Sequence, residues 1–391
     1  MLAQKADVSD EMKAAYPELT FFKHCLETRV FEKGEPMMIK RTPIWTTTAL
    51  LLLACPCFAD PDEKALDAYP DVYVMRLSER ILQLKVRGPL GTNIVVVATE
   101  KGLVVIDTYT APFIFEHVSR IVEQQFGRTD FAYVVNSHED VDHAGGNGYF
   151  KDIALVGRES LFKALRSRHA RRHEWEPWYR GRIQGWMRGR KEKVVGLEKA
   201  SDEARGLLAD IRFLEKVDQA FESGFPIMPE DPKGVISFTD SLRLELGDIT
   251  IECHACEAGH TPSDILIYVT EEEFLFTGDA AQLYIQKDVN MGVWLKQLAQ
   301  FSHPDKPVKM VLGGHDEKPS TKEELRNLHD YFTATWESVE KGHEQGLSLE
   351  QIKQRCSLEG ELARFRSVFN VENLADIHEY NIELVVKRLN Q

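Results

Sequence analysis

No run of uncharged residues in this chain is long enough to cross a bilayer. The most apolar stretch, centred on Ala49-Leu50-Leu51-Leu52-Leu53-Ala54, falls short of the roughly 20 residues a spanning helix needs. Positive charge is also in deficit: 48 Lys and Arg face 62 Asp and Glu, a net charge of −14. So acidic a chain is a poor global match for a polyphosphate backbone, which sets nucleic-acid binding aside. Cysteine is scarce. Of six, only Cys253, Cys256 and Cys356 follow residue 59, and an odd number cannot all pair within one chain. Cys253 and Cys256 have Cys-x-x-Cys spacing but lie on a predicted strand. Three residues apart, they face opposite sides, which argues against a short disulfide or a zinc knuckle. No Pro/Gly/Ser-rich linker interrupts residues 70–391, and there is no Gly-rich nucleotide loop. With 43% apolar and 28% charged residues, the composition excludes collagen, a coiled-coil rod, a disordered chain and a polytopic membrane protein.

The first 59 residues do not read as domain. Met37 and Met38, then Lys40 and Arg41, precede the apolar stretch, and Cys57-Phe58-Ala59 offers small residues at both cleavage positions before Asp60. These are the three regions of a secretory signal. The expectation is a periplasmic or secreted protein, cleaved after Ala59 and translated from Met37 or Met38. A weaker competing signal, Leu52-Leu53-Ala54-Cys55, would leave a lipid on Cys55 and tether the protein to a membrane. Beyond residue 59 the balance stays at −14, with 41 basic and 55 acidic residues.

From residue 60 onward, strands and helices alternate. Asn93–Ala98 and Leu103–Ile106 are continuous apolar runs, suited to strands buried on both faces, with a turn at Glu100-Lys101-Gly102. Ile114, Val118, Ile121, Val122 and Phe126 recur at helical spacing, and Gly127 closes that helix. Phe131–Val135, Ile265–Val269, Phe274–Phe276 and Val308–Leu312 read as further strands. Leu242, Leu244 and Leu246 alternate with charged residues, as do Ile249, Ile251 and Cys253 with Thr250 and Glu252, so Gly247-Asp248 is the turn of a hairpin. Residues 158–235 are polar and helix-prone, a helical insertion over the core. From Thr321 the chain is helical to its end. The expected architecture is one α/β domain over residues 60–391, two sheets with outer helices.

Four polar motifs sit just past four apolar runs. They are Asn136-Ser137-His138-Glu139-Asp140-Val141-Asp142-His143-Ala144-Gly145-Gly146, Gly259-His260-Thr261-Pro262-Ser263-Asp264, Thr277-Gly278-Asp279 and Gly313-Gly314-His315. Loops at strand ends are where rigid scaffolds present functional groups. Four on one sheet edge can bring His138, Asp140, Asp142, His143, His260, Asp279 and His315 to one volume. Imidazoles and carboxylates in this mixture suit zinc or iron-like ions. Seven ligands exceed one tetrahedral shell, so two ions sharing a carboxylate is the natural count. The glycines are expected to let backbone approach the ions. A lone histidine is more often a satisfied core or surface residue, and His117, His169, His173, His254, His303, His329, His343 and His378 take that reading.

The order His-x-ligand-x-Asp-His, Gly-His-Thr-Pro, Gly-Asp, Gly-His resembles the signature of the metallo-β-lactamase superfamily over about residues 90–320. The resemblance implies an αβ/βα sandwich with a dinuclear site between the sheet edges. One ion would take His138, Asp140 and His260, the other Asp142, His143 and His315, with Asp279 bridging. The chain departs from the pattern at Asp140, where that family usually has His. An anionic, harder ligand favours iron or manganese more than an imidazole does, or leaves the first ion weakly bound. The flavodiiron branch resembles this chain in having a carboxylate at that position, but its usual flavodoxin-like domain has no room here.

Two bound divalent ions, most simply zinc, would make hydroxide available near neutral pH and polarise a substrate oxygen, with Asp142 orienting the nucleophile. No Ser-His-Asp set is needed. The expected function is a secreted metal-dependent hydrolase opening an ester, amide, lactone or related bond of a small molecule. The alternatives are a non-hydrolytic di-iron protein that binds oxygen or nitric oxide, and a binding module with a degenerate site. Substrate identity is weakly encoded. Lys163 to Lys193 holds eleven Lys or Arg and three acids, with Trp175, Trp178, Tyr179 and Trp186 interleaved. A solvated helical face with its tryptophans on the core is the favoured reading; a lid for an anionic or ring-bearing substrate is the other.

Overall fold

The computed structural model describes residues 72–390 except 87, 89–90, 199–200, 229–233, 257–258, 287–288, 370 and 372. The chain divides into two compact units, residues 1–58 with 371–373 and residues 59–370 with 374–391; every element named below belongs to the second. The expected signal, its cleavage site and the Cys55 lipid box lie outside the described residues.

Seven strands form one sheet in the order of the sequence: β1 (Val72–Arg76), β2 (Ile81–Val86), β3 (Asn93–Thr99), β4 (Gly102–Ile106), β5 (Phe131–Val135), β6 (Ala154–Arg158) and β7 (Gly234–Phe238). The first four pair antiparallel and the last four parallel. The second sheet holds β8 (Ser241–Glu245), β9 (Thr250–Ala255), β10 (Ile265–Val269), β11 (Phe274–Gly278) and β12 (Met310–Gly313), ordered β12-β11-β10-β9-β8. Only its β11–β12 pair is parallel. Both sheets are mixed.

The continuous apolar runs are buried on both faces, as their lack of alternation implies. Val95, Val97, Val104 and Ile106 of the first sheet meet Ile251, Ile265, Ile267 and Phe276 of the second in a core between the sheets. Ile94, Val96, Leu103 and Val105 point the other way, onto a core under α1 (Phe115–Phe126) and the helices that follow. Leu266, Tyr268 and Leu275 point outward from the second sheet, onto α6 (Met291–Ser302), α7 (Lys322–Glu344), α8 (Leu349–Arg355) and α9 (Leu374–Leu389). The layers are therefore helix, sheet, sheet, helix. Cys253 lies in the inter-sheet core and Cys256 in the outer one. Both are free and buried, as is Cys356. Gly127 caps α1 in the left-handed region at φ 68°. Gly247, at φ 87°, turns the β8–β9 hairpin, closed by Leu246 N–H donating to Ile249 O at 2.8 Å.

Between β6 and β7 the chain makes three helices, α3 (Glu159–Ala170), α4 (Arg172–Val195) and α5 (Asp202–Ser223). The expected insertion bounds of 158 and 235 overlap both flanking strands. β7, an edge strand with Val235 exposed, is not among the predicted strands. Strands β1, β2 and β6 are likewise additions to those predicted. The C-terminal helices open on two reciprocal caps, Thr321 with Glu324 and Ser348 with Gln351, each satisfying two orphan donors.

Gly145 and Gly146 do not serve backbone approach to ions. A Cβ on Gly145 would lie 2.1 Å from Thr110 O, and one on Gly146 2.0 Å from Thr108 O. These glycines let the 140s loop press against the loop after β4. Gly146→Ala is therefore expected to cost about 1–3 kcal/mol of stability through overpacking, read from urea midpoints. Gly196→Ala, where the new methyl meets open space, should stay within about 0.5 kcal/mol of the parent. Equal midpoints for the two variants would contradict this packing.

Candidate metal centre

The seven sequence-predicted residues converge. Asp140 precedes, and Asp142 and His143 lie within, the single turn α2 (Val141–Ala144) after β5. His138 sits between β5 and α2, His260 between β9 and β10, Asp279 just past β11 and His315 just past β12. Donor atoms of His138, His260 and Asp279 lie within 4.8 Å of one another, and so do those of Asp142, His143 and His315. His143 Nε2 is 3.4 Å from His315 Nε2, 3.5 Å from Asp279 Oδ1 and 3.8 Å from Asp142 Oδ2. His315 Nε2 is 3.2 Å from Asp279 Oδ2 and 3.5 Å from Asp142 Oδ2. His260 Nε2 is 3.1 Å from Asp140 Oδ2 and 3.8 Å from Asp279 Oδ2. His138 Nε2 is 3.7 Å from Asp140 Oδ2. Ligands about 2.1 Å from a tetrahedral ion stand about 3.4 Å from each other, so these separations are in the range that donors around divalent cations take.

Each imidazole reaches inward through Nε2 because its Nδ1 is engaged behind it. Ser137 Oγ donates to Asp107 Oδ2 at 2.7 Å and lies 2.9 Å from His138 Nδ1, so it accepts the Nδ1 proton. The same Asp107 oxygen is 2.8 Å from His143 Nδ1. His315 Nδ1 is 3.2 Å from Gly91 O, and His260 Nδ1 is 3.0 Å from the Gln286 amide. That amide presents an acceptor after a half-turn. Such partners fix the tautomer and ring angle of metal-binding histidines.

The loops are braced from both sheets. Asp107 and Tyr109 hold left-handed backbone at φ 57° and 62°, a strain that persists only where surroundings over-determine it. Here Thr108 N–H donates to His143 O at 2.7 Å, and Thr108, Asn136 and Asn147 interlock by side-chain bonds of 2.8 Å and 3.2 Å. Asp264 accepts from the backbone of His260 and, at 2.9 Å, of Thr261. Arg158 donates to Pro262 O at 2.9 Å. Asn93 donates to Gly313 O and Asp316 O at 2.8 Å and 2.9 Å, carrying His315 over the edge of the first sheet. Asn381 of α9 accepts from Ile285 N–H at 2.8 Å and donates to Leu283 O at 3.0 Å, fixing the segment that ends at Gln286.

The donor set fits divalent cations. His138 Nε2 and Asp279 Oδ1 are buried with no hydrogen-bond partner among the described residues, a state that ordinarily costs about 1–3 kcal/mol each. Burial depresses His143 and His260, but the surrounding carboxylates outweigh it. Asp279, Asp142 and Asp107 hold His143 up at about 10, and Asp140, Asp279 and Asp264 hold His260 up at about 10. Burial raises Asp279 and Asp140. Against it, His315 and His143 hold Asp279, and Arg168 with His138 and His260 holds Asp140, well below the usual carboxylate range.

The sequence profile of the Metallo-beta-lactamase superfamily matches residues 87–341. The chain belongs to the metallo-β-lactamase superfamily. The metallo-beta-lactamase type 2 of Bacteroides fragilis is 27% identical over 112 residues, 27% of this chain and 43% of that protein. Among solved structures, the stereoselective inverting sec-alkylsulfatase Pisa1 from Pseudomonas sp. shares the fold with a TM-score of 0.52 and 17% identity, over 81% of this chain and 50% of that one. A double mutant of the same sec-alkylsulfatase gives a TM-score of 0.51 at 16% identity over the same shares. The chain thus spans half or less of the length of these proteins.

Several residues of the site escaped the sequence reading. Asp107 ends the apolar run Leu103–Ile106 and carried the signal used for the other four loops, an acid just past a buried strand. Gln286 and Gly91 carry none. The basic segment divides. Arg180 pairs with Asp218 at 2.7 Å, Arg190 with Asp210 at 2.9 Å and Lys191 with Glu215 at 2.9 Å, all on α5. Arg182 stacks on Trp178 and Trp186, and Trp175, Trp178 and Trp186 pack on the core. Arg168 instead reaches Asp140, at 2.6 Å. The Tyr179 hydroxyl is buried with no hydrogen-bond partner among the described residues. Burial first, and then the Asp142 charge, hold this phenol well above its ordinary pKa.

The carboxylates around His143 and His260 push both up to about 10, so both are expected to hold a second ring proton at pH 7 in the metal-free protein. Metal uptake must displace those protons. Adding zinc to weakly buffered, metal-free protein at pH 7 should release protons, with His143, His260 and His315 all held above the ordinary imidazole range by neighbouring carboxylates, and apparent affinity should rise with pH; uptake without proton release would contradict it. Asp107→Asn should weaken zinc binding about 10- to 100-fold, as loss of a ligand-orienting partner does, in a chelator competition, with the far-ultraviolet dichroism unchanged.

Proposed function

We propose that this chain is a metal-dependent hydrolase that opens an ester, amide, lactone or related bond of a small molecule by attack of water. The observation that carries the reading is the convergence of four Nε2 atoms, each with its Nδ1 engaged, on three carboxylates spaced as coordination shells. In this reading His138, Asp140 and His260 would hold one divalent cation and Asp142, His143 and His315 the other, with Asp279 close to both sets. Zinc is the proposed metal, since imidazole-rich shells suit it. Bound there, two cations supply an acidified water and polarise the oxygen of the scissile group.

The chain's own groups do the rest. Asp142, at 22% side-chain exposure, accepts a hydrogen bond from the attacking water and aims it. His315, the most exposed ligand at 41%, marks the mouth through which substrate enters. The named relatives bring two substrate types into consideration, sulfate esters and β-lactams. The extra negative charge of Asp140 is what motivates a di-iron oxygen carrier. Arg168 offsets that charge, so we favour the hydrolase.

The test is metal analysis of the purified full chain with a hydrolysis panel of an alkyl sulfate, a β-lactam, a carboxylic ester, a lactone and a phosphodiester. The expected result is colourless, zinc-binding protein with activity on one class. Chelation should abolish that activity and zinc restore it, and His143→Ala should lower it at least about 100-fold. Metal-loaded protein inert across the panel would contradict the proposal. A visible absorption band with bound iron would favour the di-iron reading instead.

We further propose that the protein is exported. Among the described residues no helix is long and apolar enough to cross a membrane. N-terminal sequencing of protein from fractionated cells should find Asp60 first, in the exported fraction. A lipid-modified Cys55 in the membrane fraction would support the anchor instead, and an intact N-terminus in the cytosol would contradict export.

A further inference from the structure

Asp140 stands at the N-cap of α2, where a carboxylate ordinarily accepts from the free backbone N–H groups of the first turn. It makes no such bond. Its two oxygens are committed elsewhere. Oδ2 faces the cluster, 3.1 Å from His260 Nε2 and 3.7 Å from His138 Nε2. Oδ1 faces away and takes the Arg168 guanidinium at 2.6 Å. Arg168 comes from α3, in the insertion, near the helix's last turn. Its backbone is held in turn, since the Trp175 indole donates to Arg168 O at 2.9 Å. The pair is about one-third exposed, 32% and 28% for the two side chains, so it sits at the wall of the site and not in bulk solvent.

A carboxylate with both oxygens open can grip a cation in two-toothed fashion or swing between two cations. One whose second oxygen is tied to a guanidinium can offer only one donor, in one direction, as the Nε2 of an imidazole does. The charges also match. An aspartate in place of a histidine makes the donor set one unit more negative, and Arg168 returns that unit at contact distance. We propose that Asp140 and Arg168 work as a unit that replaces one neutral imidazole. Asp140 supplies the single donor, and Arg168 is a positioning residue that restrains the other oxygen and cancels its charge. The insertion is thereby part of the metal centre, and the histidine usual at position 140 is incompatible with Arg168 beside it. This inference rests on the two-cation reading of the site.

The experiment is a zinc titration of the metal-stripped full chain against a chromophoric chelator, for the parent, Asp140→His, Arg168→Met, Arg168→Lys and the double variant Asp140→His/Arg168→Met. Thermal unfolding confirms that each is folded. Asp140→His alone places a guanidinium beside a neutral ligand and a cation, and should weaken one of the two zinc sites about ten-fold or more, the scale of a lost ligand partner. Arg168→Met alone frees a second anionic oxygen and should tighten that site. The double variant should return to within about three-fold of the parent. Arg168→Lys, which keeps the charge, should lie closer to the parent than Arg168→Met.

Additive effects, with Asp140→His binding zinc as tightly in the presence of Arg168 as in its absence, would overturn the inference and leave the two-cation reading intact. A parent that takes up fewer than two zinc ions would overturn that reading, and this inference with it.

Discussion

One carboxylate organises the metal centre. Asp107 receives Ser137 N–H on Oδ1, and Ser137 Oγ–H and His143 Nδ1 on Oδ2. Through Ser137 it also sets His138. Two of the four imidazoles therefore owe their tautomer and ring direction to a single buried residue that touches neither proposed cation. An imidazole free to present either nitrogen would lose half its donors to the wrong face, and four such rings would not share a focus. The left-handed backbone at Asp107 and Tyr109, and the glycines at 145 and 146 that let the two loops press together, are the local costs of holding this carboxylate in place.

The sandwich supplies what a single loop could not. β4, β5 and β6 lie side by side in one sheet and β10, β11 and β12 in the other, with the inter-sheet core fixing their separation. Loops leaving the same edge of both sheets then meet across a few ångströms, tied by Arg158, Asn93 and the Ile265 N–H to Ser137 O bond of 3.0 Å. The helical layers contribute less directly. α9 reaches His260 through Asn381 and Gln286, and the insertion reaches the site through Arg168. Part of the insertion's positive charge is taken up within it, Arg180, Arg190 and Lys191 by acids of α5 and Arg171 and Arg172 by Glu174 and Glu176 of α4, while Arg168 turns to the site.

The pattern of apolar runs followed by polar loops was legible because strands buried on both faces cannot hide their composition, and because functional groups cluster at strand ends. That signal located the four loops that carry all seven candidate ligands. It would have located Asp107 as well, had the acid after Leu103–Ile106 been weighed like Asp279 after Phe274–Phe276. Gln286, the Gly91 carbonyl and Arg168 were out of reach for a physical reason. A partner for Nδ1 or for a carboxylate oxygen needs only a polar atom at about 3 Å, and which residue supplies it is decided by tertiary placement, not by spacing. β1 and β7 carry an apolar signature of their own, four of five residues in Val72–Arg76 and three of five in Gly234–Phe238, so these strands were legible by the pattern that found the others. The glycines of the 140s loop were expected to admit ions and instead admit backbone, a distinction that composition cannot make.

The account stands on imidazole nitrogen facing bound metal at both positions. X-ray absorption at the zinc edge, on full-length protein loaded to saturation, measures this directly. It should find zinc–nitrogen scattering at about 2.0–2.1 Å with four imidazoles shared between two ions and oxygen completing each shell. Zinc bound without imidazole scattering, or a spectrum unchanged by His143→Ala and His260→Ala, would contradict it.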